Sequence, residues 1–327
     1  MKEFMPKFKW TGLNLTIRLI GVLILGFSLT NRDCVAAGTE TIVIIKFVTH
    51  PALDELESSF IEKITNLAPS VHLERLNANK DAVVAKQLAE GVSARSDVAL
   101  IVTLATPATQ AAAKTPSKIP ILYAAVADPV GAGVVSSRTS GIQNADSNII
   151  VAALTTLTNM FPKVTRIGTI YDPTEQNSIF VQAIIKQQCQ ARGLLLEQQT
   201  CSDASELPIL LEQMAPKIDA LYCANDNTVN KGVFSLGRTA KTLKKPFLIG
   251  ELSAVEKGPL AGVGVEYRSM GMHLAEMAAS ILRTGGSSLP PREPAPPPKF
   301  WLNLSTARVI GFEAPTNIVK AADRLLP

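Results

Sequence analysis

Polar turns follow a series of short apolar runs in this sequence. Residues 41–48, 98–103, 119–126, 164–171, 219–224 and 245–250 are rich in β-branched side chains, which is typical of buried strands. Ligands of parallel α/β sheets bind outside the carboxyl ends of the strands, so the residues at these ends are candidates for a binding site. They are His50, Thr106, Asp128, Tyr171, Asn225, Asp226, Asn227 and Glu251.

The chemistry of these turns suits an amino-acid zwitterion. Helices predicted to begin near Thr106 and Asn177 would present free backbone N–H groups to a carboxylate. An ammonium group would be held by Asp128, Asp226 or Glu251. Asp226 is favoured because it lies between two asparagines beyond an apolar run, whereas Asp128 precedes a proline and fits a simple turn.

Two aromatic residues lie near predicted strand ends. Tyr123 and Tyr171 would either stack on a flat ligand side chain or pack inside the domains. The three histidines differ in position, since His72 falls in a predicted strand and His273 in a predicted helix. Only His50 is placed for a functional role, and a turn histidine bonded to nearby backbone is the alternative.

The common catalytic signatures are absent from the sequence. There is no GxSxG, HExxH or Walker A motif, and no GxGxxG follows the first predicted strand. We therefore predict a protein that is not an enzyme and that needs no metal and no cofactor. The enzymatic alternative is an α/β racemase or lyase that uses paired polar residues in the same cleft.

Composition and charge indicate a globular protein of two domains. The chain has 327 residues, 46% of them hydrophobic and 18% charged. Of the formal charge of +4, the first 37 residues carry +3, which leaves +1 for the rest. A body this close to neutral, without a basic run, excludes nucleic acid as the expected partner.

The N-terminal residues 1–37 have the pattern of a signal peptide. An apolar run at residues 19–29 follows Arg18, and small residues end the segment at Ala36 and Ala37. The run has about half the length of a membrane span, although an uncleaved anchor is the alternative. Cys34 follows Asn31-Arg32-Asp33, which is not a lipidation sequence, so we expect a periplasmic protein rather than a lipoprotein.

The alternation of apolar runs with helical segments predicts βαβ units and parallel sheets. The expected fold is α/β, with two doubly wound parallel-sheet lobes joined by a hinge of several crossings. We expect the first lobe over residues 38–140, with part of 265–289 returning to it, and the second over 141–262. Crossings are predicted within 136–148 and near 251–253, and residues 290–327 form a proline-rich crossing and a C-terminal segment.

Several segments, in this order, resemble one family of known proteins. FVTHPALDELESSFIEKI, LATPATQAA, AAVADPVGAGVVSS, IGTIYDPTEQNS, DALYCANDNTV and GVGVEYRSMGMHLAEMAASIL are similar to blocks of the ABC transporter substrate-binding family that includes tryptophan- and tyrosine-binding proteins. The resemblance covers residue 41 to the C-terminus. The segment GELSAVEKG at 250–258 departs from the small polar or acidic cluster of many relatives, which leaves ligand preference there open.

The resemblance implies a type I periplasmic-binding-protein fold with three crossings and a cleft that closes without catalysis. Its expected partners are a small ligand of the amino-acid class, aromatic amino acids included, and an ABC permease in the inner membrane, with the protein itself a monomer. A ligand-sensing receptor domain is a further alternative on the same fold. The cleft residues implied by the resemblance are His50, Thr106, Asp128, Asn177, Asn225, Asp226 and Asn227.

Overall fold

The structure is a computed structural model that describes residues 40–327. The predicted signal peptide and Cys34 lie outside the described residues. The described chain forms two parallel-sheet α/β lobes, which confirms the predicted fold class.

The first lobe is built on a six-stranded sheet of order β11-β5-β4-β3-β1-β2, in which every pair of neighbours is parallel. Its central strands are buried because helices cover both faces, as their continuous apolar runs predict. The strands are β1 (Thr41–Lys46), β2 (His72–Asn77), β3 (Val98–Leu104), β4 (Ile121–Val126), β5 (Thr139–Gln143) and β11 (Glu293–Pro294).

Four helices pack on this sheet: α1 (Pro51–Leu67), α2 (Ala82–Ser93), α3 (Thr106–Lys114) and α8 (Tyr267–Arg283). Helix α1 begins with a proline at its first position, and its buried residues recur at helical spacing along one face. That face packs against α8, whose apolar residues belong to the same core. The first residues of α1 and α3 both lie at the carboxyl edge of the sheet.

The second lobe has a seven-stranded sheet of order β13-β12-β10-β9-β8-β6-β7, parallel except for the β10–β12 pair. Its strands are β6 (Arg166–Tyr171), β7 (Leu195–Thr200), β8 (Ala220–Cys223), β9 (Phe247–Ile249), β10 (Ala261–Gly264), β12 (Lys299–Asn303) and β13 (Arg324–Leu326). Its helices are α4 (Asp146–Met160), α5 (Gln176–Ala191), α6 (Leu207–Met214), α7 (Asn227–Thr242), α9 (Leu304–Ile310) and α10 (Thr316–Ala321).

The chain passes between the lobes three times: between β5 and α4, between β10 and α8, and between β11 and β12. The first crossing lies within the predicted 136–148 segment. The crossing predicted near 251–253 is wrong, because that segment joins β9 to β10 of the same sheet. Residues 299–327 do not stand apart from the lobes either, since Phe300 and Leu302 are buried in the second core.

The contact between α1 and α8 depends on a glycine. A Cβ on Gly271 would lie 2.1 Å from Ser59 Oγ and 2.3 Å from the Leu56 carbonyl oxygen, both on α1. We expect Gly271→Ala to lower the free energy of unfolding by about 1–3 kcal/mol, because the helices would have to separate. The matched control is Gly91→Ala, since a Cβ on Gly91 of α2 meets nothing within 4 Å. Urea denaturation of both variants checks this, and equal stability would contradict it.

Candidate ligand-binding site

The carboxyl edges of the two sheets face each other across a small polar cavity. Residues of both lobes line it, and most of them lie close to the start of a helix or the end of a strand. The space has room for about one water molecule. Its lining residues are His50, Leu53, Ala105, Thr106, Ala125, Ala127, Asn144, Asn177, Asn225, Asn227 and Tyr267.

His50 connects the two lobes across this cavity. It caps α1, with Nδ1 accepting from the Leu53 backbone N–H at 3.4 Å, so Nε2 carries the proton. Nε2 lies 3.2 Å from Oδ1 of Asn227, the first residue of α7 in the second lobe, and donates to it. Burial lowers the pKa of His50 to about 4, which keeps the ring neutral. The lobes are therefore in direct contact, and the structure describes a closed cleft.

Glu175 is the carboxylate next to this contact. It precedes α5, is 4% exposed, and its Oε2 accepts hydrogen bonds from Asn227 Nδ2 and, at 3.3 Å, from Asn177 Nδ2. Burial raises the pKa of Glu175 to about 7, and the negative charge of Asp226 adds to the increase. A cation placed beside this carboxylate would stabilise its ionised form.

Four buried oxygen atoms around the cavity have no hydrogen-bond partner among the described residues. They are Thr106 Oγ1, Asn144 Oδ1, Glu175 Oε1 and Asn177 Oδ1. Leaving a buried polar atom unpaired costs about 1–3 kcal/mol, so such atoms are rarely clustered without a reason. The cluster comes from both lobes and consists mainly of acceptors, which suits a ligand that donates several hydrogen bonds.

The first turn of α3 supplies hydrogen-bond donors to the same cavity. No side chain caps this helix, so its first backbone N–H groups have no side-chain acceptor. Ala105 before the helix has φ 79°, and Ala125 at an irregularity of β4 has φ 58°. Left-handed backbone is unusual for alanine, and strain of this kind clusters at binding sites.

Asn225 and Tyr267 form the opposite wall of the cavity. Asn225 Nδ2 donates to the Tyr267 hydroxyl, while Asn225 Oδ1 accepts from Asn230 Nδ2 at 2.6 Å. Burial raises the pKa of Tyr267, so its phenol stays neutral. This wall is uncharged and held in place by its own hydrogen bonds.

Five of the predicted residues thus meet at the cavity, namely His50, Thr106, Asn177, Asn225 and Asn227. The other four lie elsewhere.

Asp226 caps α7: its Oδ1 accepts from the backbone N–H groups of Thr228 and Val229, both at 2.9 Å. Its Oδ2 accepts from Asp172 N at 2.8 Å and Ser178 Oγ at 2.6 Å, which leaves no acceptor for a ligand.

The remaining three serve local structure. Asp128 accepts from Gly131 N at 2.9 Å and sets the turn that its following proline indicates. Glu251 accepts from Ser253 N, Ser253 Oγ and Ala254 N, and burial raises its pKa to about 7. Tyr171 is half-buried at the end of β6 and does not line the cavity, and Tyr123 is fully buried inside the first lobe.

A larger cavity of about 580 Å³ lies beside the polar one. Glu175 lines it and also bonds to the two asparagines of the polar cavity, and Pro107 lines it directly after Thr106. Its volume is within the range of small-molecule sites, about 300–1,000 Å³. The remaining walls are Phe47, Lys80, Ala82, Lys86, Glu90, Gln110, Ala111, Lys114, Thr115, Pro116, Thr174, Gln176 and Ser202.

Sequence reasoning missed Asn144, Glu175 and Tyr267. Glu175 comes four residues after β6, farther from its strand end than the acids predicted to bind the ligand, although its place just before a helix is a usable signal. Asn144 and Tyr267 each lie at a crossing between the lobes, where the sequence carried no sign of which side chain would face the cleft.

Comparison with known proteins gives a consistent assignment. Residues 41–326 match the family model described as ABC transporter substrate binding protein. A tyrosine-binding protein from Clostridioides difficile (strain R20291) is 29% identical over 261 residues, which are 77% of this chain and 75% of that protein. No helix of residues 40–327 has the length and apolarity to cross a membrane.

Solved structures share the fold. A chain from Streptococcus pneumoniae in complex with L-Trp has a TM-score of 0.81 at 23% identity, covering 88% of this chain and 100% of that one. The open, ligand-free substrate-binding protein CD0873 from Clostridium difficile has a TM-score of 0.64 at 27% identity, covering 88% and 99%.

Proposed function

Because the chain belongs to the ABC transporter substrate-binding proteins, we propose that it binds an aromatic amino acid between its lobes and releases it unchanged. It acts as the extracytoplasmic, monomeric component of an importer and delivers the ligand to a permease in the inner membrane. The basic and apolar residues 1–37 support export through a cleaved signal peptide.

One observation carries this proposal: the cluster of unpaired buried oxygens beside Glu175. An ammonium group has three N–H donors and one positive charge, and it would satisfy Glu175 Oε1 together with neighbouring oxygens of Asn177 and Asn144. The charge is balanced by a carboxylate that is otherwise costly to ionise when buried. The ammonium anchor is therefore Glu175 rather than the predicted Asp226.

The other polar group of an amino acid finds its partners at α3. The uncapped N–H groups of its first turn and the Thr106 hydroxyl are suited to a carboxylate, with the helix dipole adding favourable charge. A nine-residue helix and a buried carboxylate on opposite lobes would thus hold the two charges of a zwitterion, and only the closed cleft brings both within reach.

The larger cavity would take the ligand side chain. Without ligand the polar cavity has room for about one water molecule, so the lobes would close less tightly around the ammonium and carboxylate groups of a bound amino acid. The side chain would lie in the neighbouring 580 Å³ space, which is lined by Phe47, Pro107 and Ala111 next to Glu175. An aromatic ring would bury apolar area there. The tyrosine-binding relative and the L-Trp complex of a structural relative support this class of side chain.

Two measurements on the same preparation test the proposal. Protein is unfolded to remove retained ligand, refolded, and titrated calorimetrically with L-tyrosine and L-tryptophan, where we expect saturable binding of one molecule. Ligand recovered by denaturing the complex is then analysed by chiral chromatography and mass spectrometry. A racemised or cleaved product would favour the racemase or lyase alternative, and the absence of binding would contradict the proposal.

Binding should depend on pH through Glu175. In the closed cleft without ligand its pKa is about 7, and a bound ammonium group lowers that pKa because it stabilises the carboxylate. Protons therefore compete with the ligand, so affinity is full above about pH 8 and falls as pH decreases through 7, by up to about tenfold per unit. Calorimetry in buffers of different ionisation enthalpy should show proton release near pH 7. A dissociation constant that is flat from pH 8 to 5 would contradict this.

A further inference from the structure

We propose that Lys80 and Asp172 form a latch between the lobes that holds the closed cleft shut and sets the rate of ligand release. The inference rests on the proposed function for its binding test. Neither residue lines the polar cavity where the zwitterion is placed, and Lys80 lines the larger cavity proposed for the ligand side chain.

The ion pair joins the two lobes directly. Lys80 follows β2 in the first lobe, and its Nζ lies 2.6 Å from Oδ2 of Asp172, which follows β6 in the second lobe. The same Nζ donates to the carbonyl oxygen of Ser202, also in the second lobe, at 2.7 Å. The Lys80 side chain is 14% exposed and that of Asp172 is fully buried, so solvent screens the pair weakly.

The turn that carries Lys80 is rigid. Asn79 and Lys80 both have left-handed backbone, with φ of 52° and 66°. The turn is fixed by hydrogen bonds from Asn79 N to Asn77 Oδ1 and from Lys80 N to the Phe47 carbonyl oxygen, both at 2.8 Å. Two successive non-glycine residues in this region are uncommon, and they aim the Lys80 side chain at the second lobe.

Hydrogen bonds within the second lobe fix the position of the Asp172 carboxylate. Its Oδ1 accepts from Thr174 N and Thr174 Oγ1, and its Oδ2 accepts from Thr228 Oγ1 at 2.7 Å. Burial alone would raise the pKa of Asp172, but hydrogen bonds from Lys80, Thr174 and Thr228 hold it below its usual value. The carboxylate is therefore ionised in the closed state. Its hydrogen bonds with Thr174 and Thr228 lie within one lobe, whereas the contact with Lys80 exists only when the lobes meet.

The Asp172 backbone also connects the latch to the binding site. Its N–H donates to Oδ2 of Asp226, and the same oxygen accepts from the Ser178 hydroxyl of α5. The other oxygen of Asp226, Oδ1, caps α7. Two residues of the polar cavity lie in the first turns of these helices, Asn177 in α5 and Asn227 in α7. An interaction made only in the closed state multiplies the closed-to-open ratio, and it slows release by up to the same factor.

A double-mutant cycle tests the latch. Lys80→Met, Asp172→Asn and the double variant are compared by stopped-flow binding of L-tyrosine and L-tryptophan, with thermal melts as a check on folding. We expect each single variant to speed dissociation about tenfold with little change in association, and the double variant to be no faster than either single one. Lys63→Met is the matched control, because Lys63 lines neither cavity and pairs with Glu276 of its own lobe, with their side-chain atoms 3.2 Å apart.

Two results would overturn the proposal. Additive effects of the two substitutions would mean that Lys80 acts on the ligand rather than through Asp172. Unchanged dissociation rates would mean that the ion pair does not stabilise the closed state. Distances between spin labels on the two lobes of the ligand-free protein give a second readout. There Asp172→Asn should reduce the closed fraction, and this holds even if neither amino acid binds, so failure of the latch and failure of the proposed ligand class are distinguishable.

Discussion

Glu175→Gln should weaken binding of the amino-acid ligand at pH 8 by about 30-fold to several thousand-fold, the largest loss expected from any single site substitution. The amide oxygen of glutamine would keep the hydrogen bonds from Asn177 and Asn227, but its NH₂ group would then face the ammonium group. Losing one member of a buried charge pair costs about 2–5 kcal/mol. Calorimetric titration with L-tyrosine and L-tryptophan measures the change.

The matched control for this substitution is Glu197→Gln, on the exposed strand β7 of the same lobe. It makes the same chemical change far from the polar cavity and should bind as the wild type does. If Glu175→Gln bound within about threefold of the wild type, which is under 1 kcal/mol, Glu175 would not hold the ammonium group.

Asp226→Ala should act on folding rather than on ligand contacts. It would leave the N–H groups of Thr228, Val229 and Asp172 and the Ser178 hydroxyl without their acceptor at a position 3% exposed. At about 1–3 kcal/mol for each unpaired buried group, with some relaxation, we expect a loss of about 3–5 kcal/mol in the free energy of unfolding. Chemical denaturation followed by circular dichroism measures it.

Asp203→Ala provides the comparison for that experiment. Asp203 also caps a helical turn, through Ser205 N at 2.9 Å, but at an exposed position, so its loss should cost about 1 kcal/mol or less. Equal destabilisation by the two substitutions, or a stable Asp226→Ala protein with weakened binding, would return Asp226 to the role of ligand anchor.

The fold was predictable because its signals are local and repeated. Continuous β-branched runs such as that of β1 are typical of strands buried between helices, and Pro51 and Gly193 mark helix ends at short range. The crossing near 251–253 was misplaced because a polar turn between two strands of one sheet has the same composition as a passage between lobes.

The candidate site was predictable only in part, since sequence identifies polar residues at strand ends but not the partners of each one. Asp226 and Glu175 have the same functional group and both lie just before a helix. Four donors from its own lobe saturate Asp226, whereas Glu175 keeps one oxygen unpaired. That difference arises from contacts between distant segments, such as Ser178 with Asp226, and no local pattern encodes it.

We propose that the closed cleft recognises the ammonium group of an aromatic amino acid. The most direct test is to compare, on the unaltered protein at pH 8, each amino acid with the same molecule lacking its amino group. L-tyrosine is paired with 3-(4-hydroxyphenyl)propanoate, and L-tryptophan with 3-(indol-3-yl)propanoate. We expect calorimetric binding of at least one amino acid and an affinity at least about 30-fold lower for its deaminated partner. Equal affinity within a pair, or binding of neither amino acid, would contradict it.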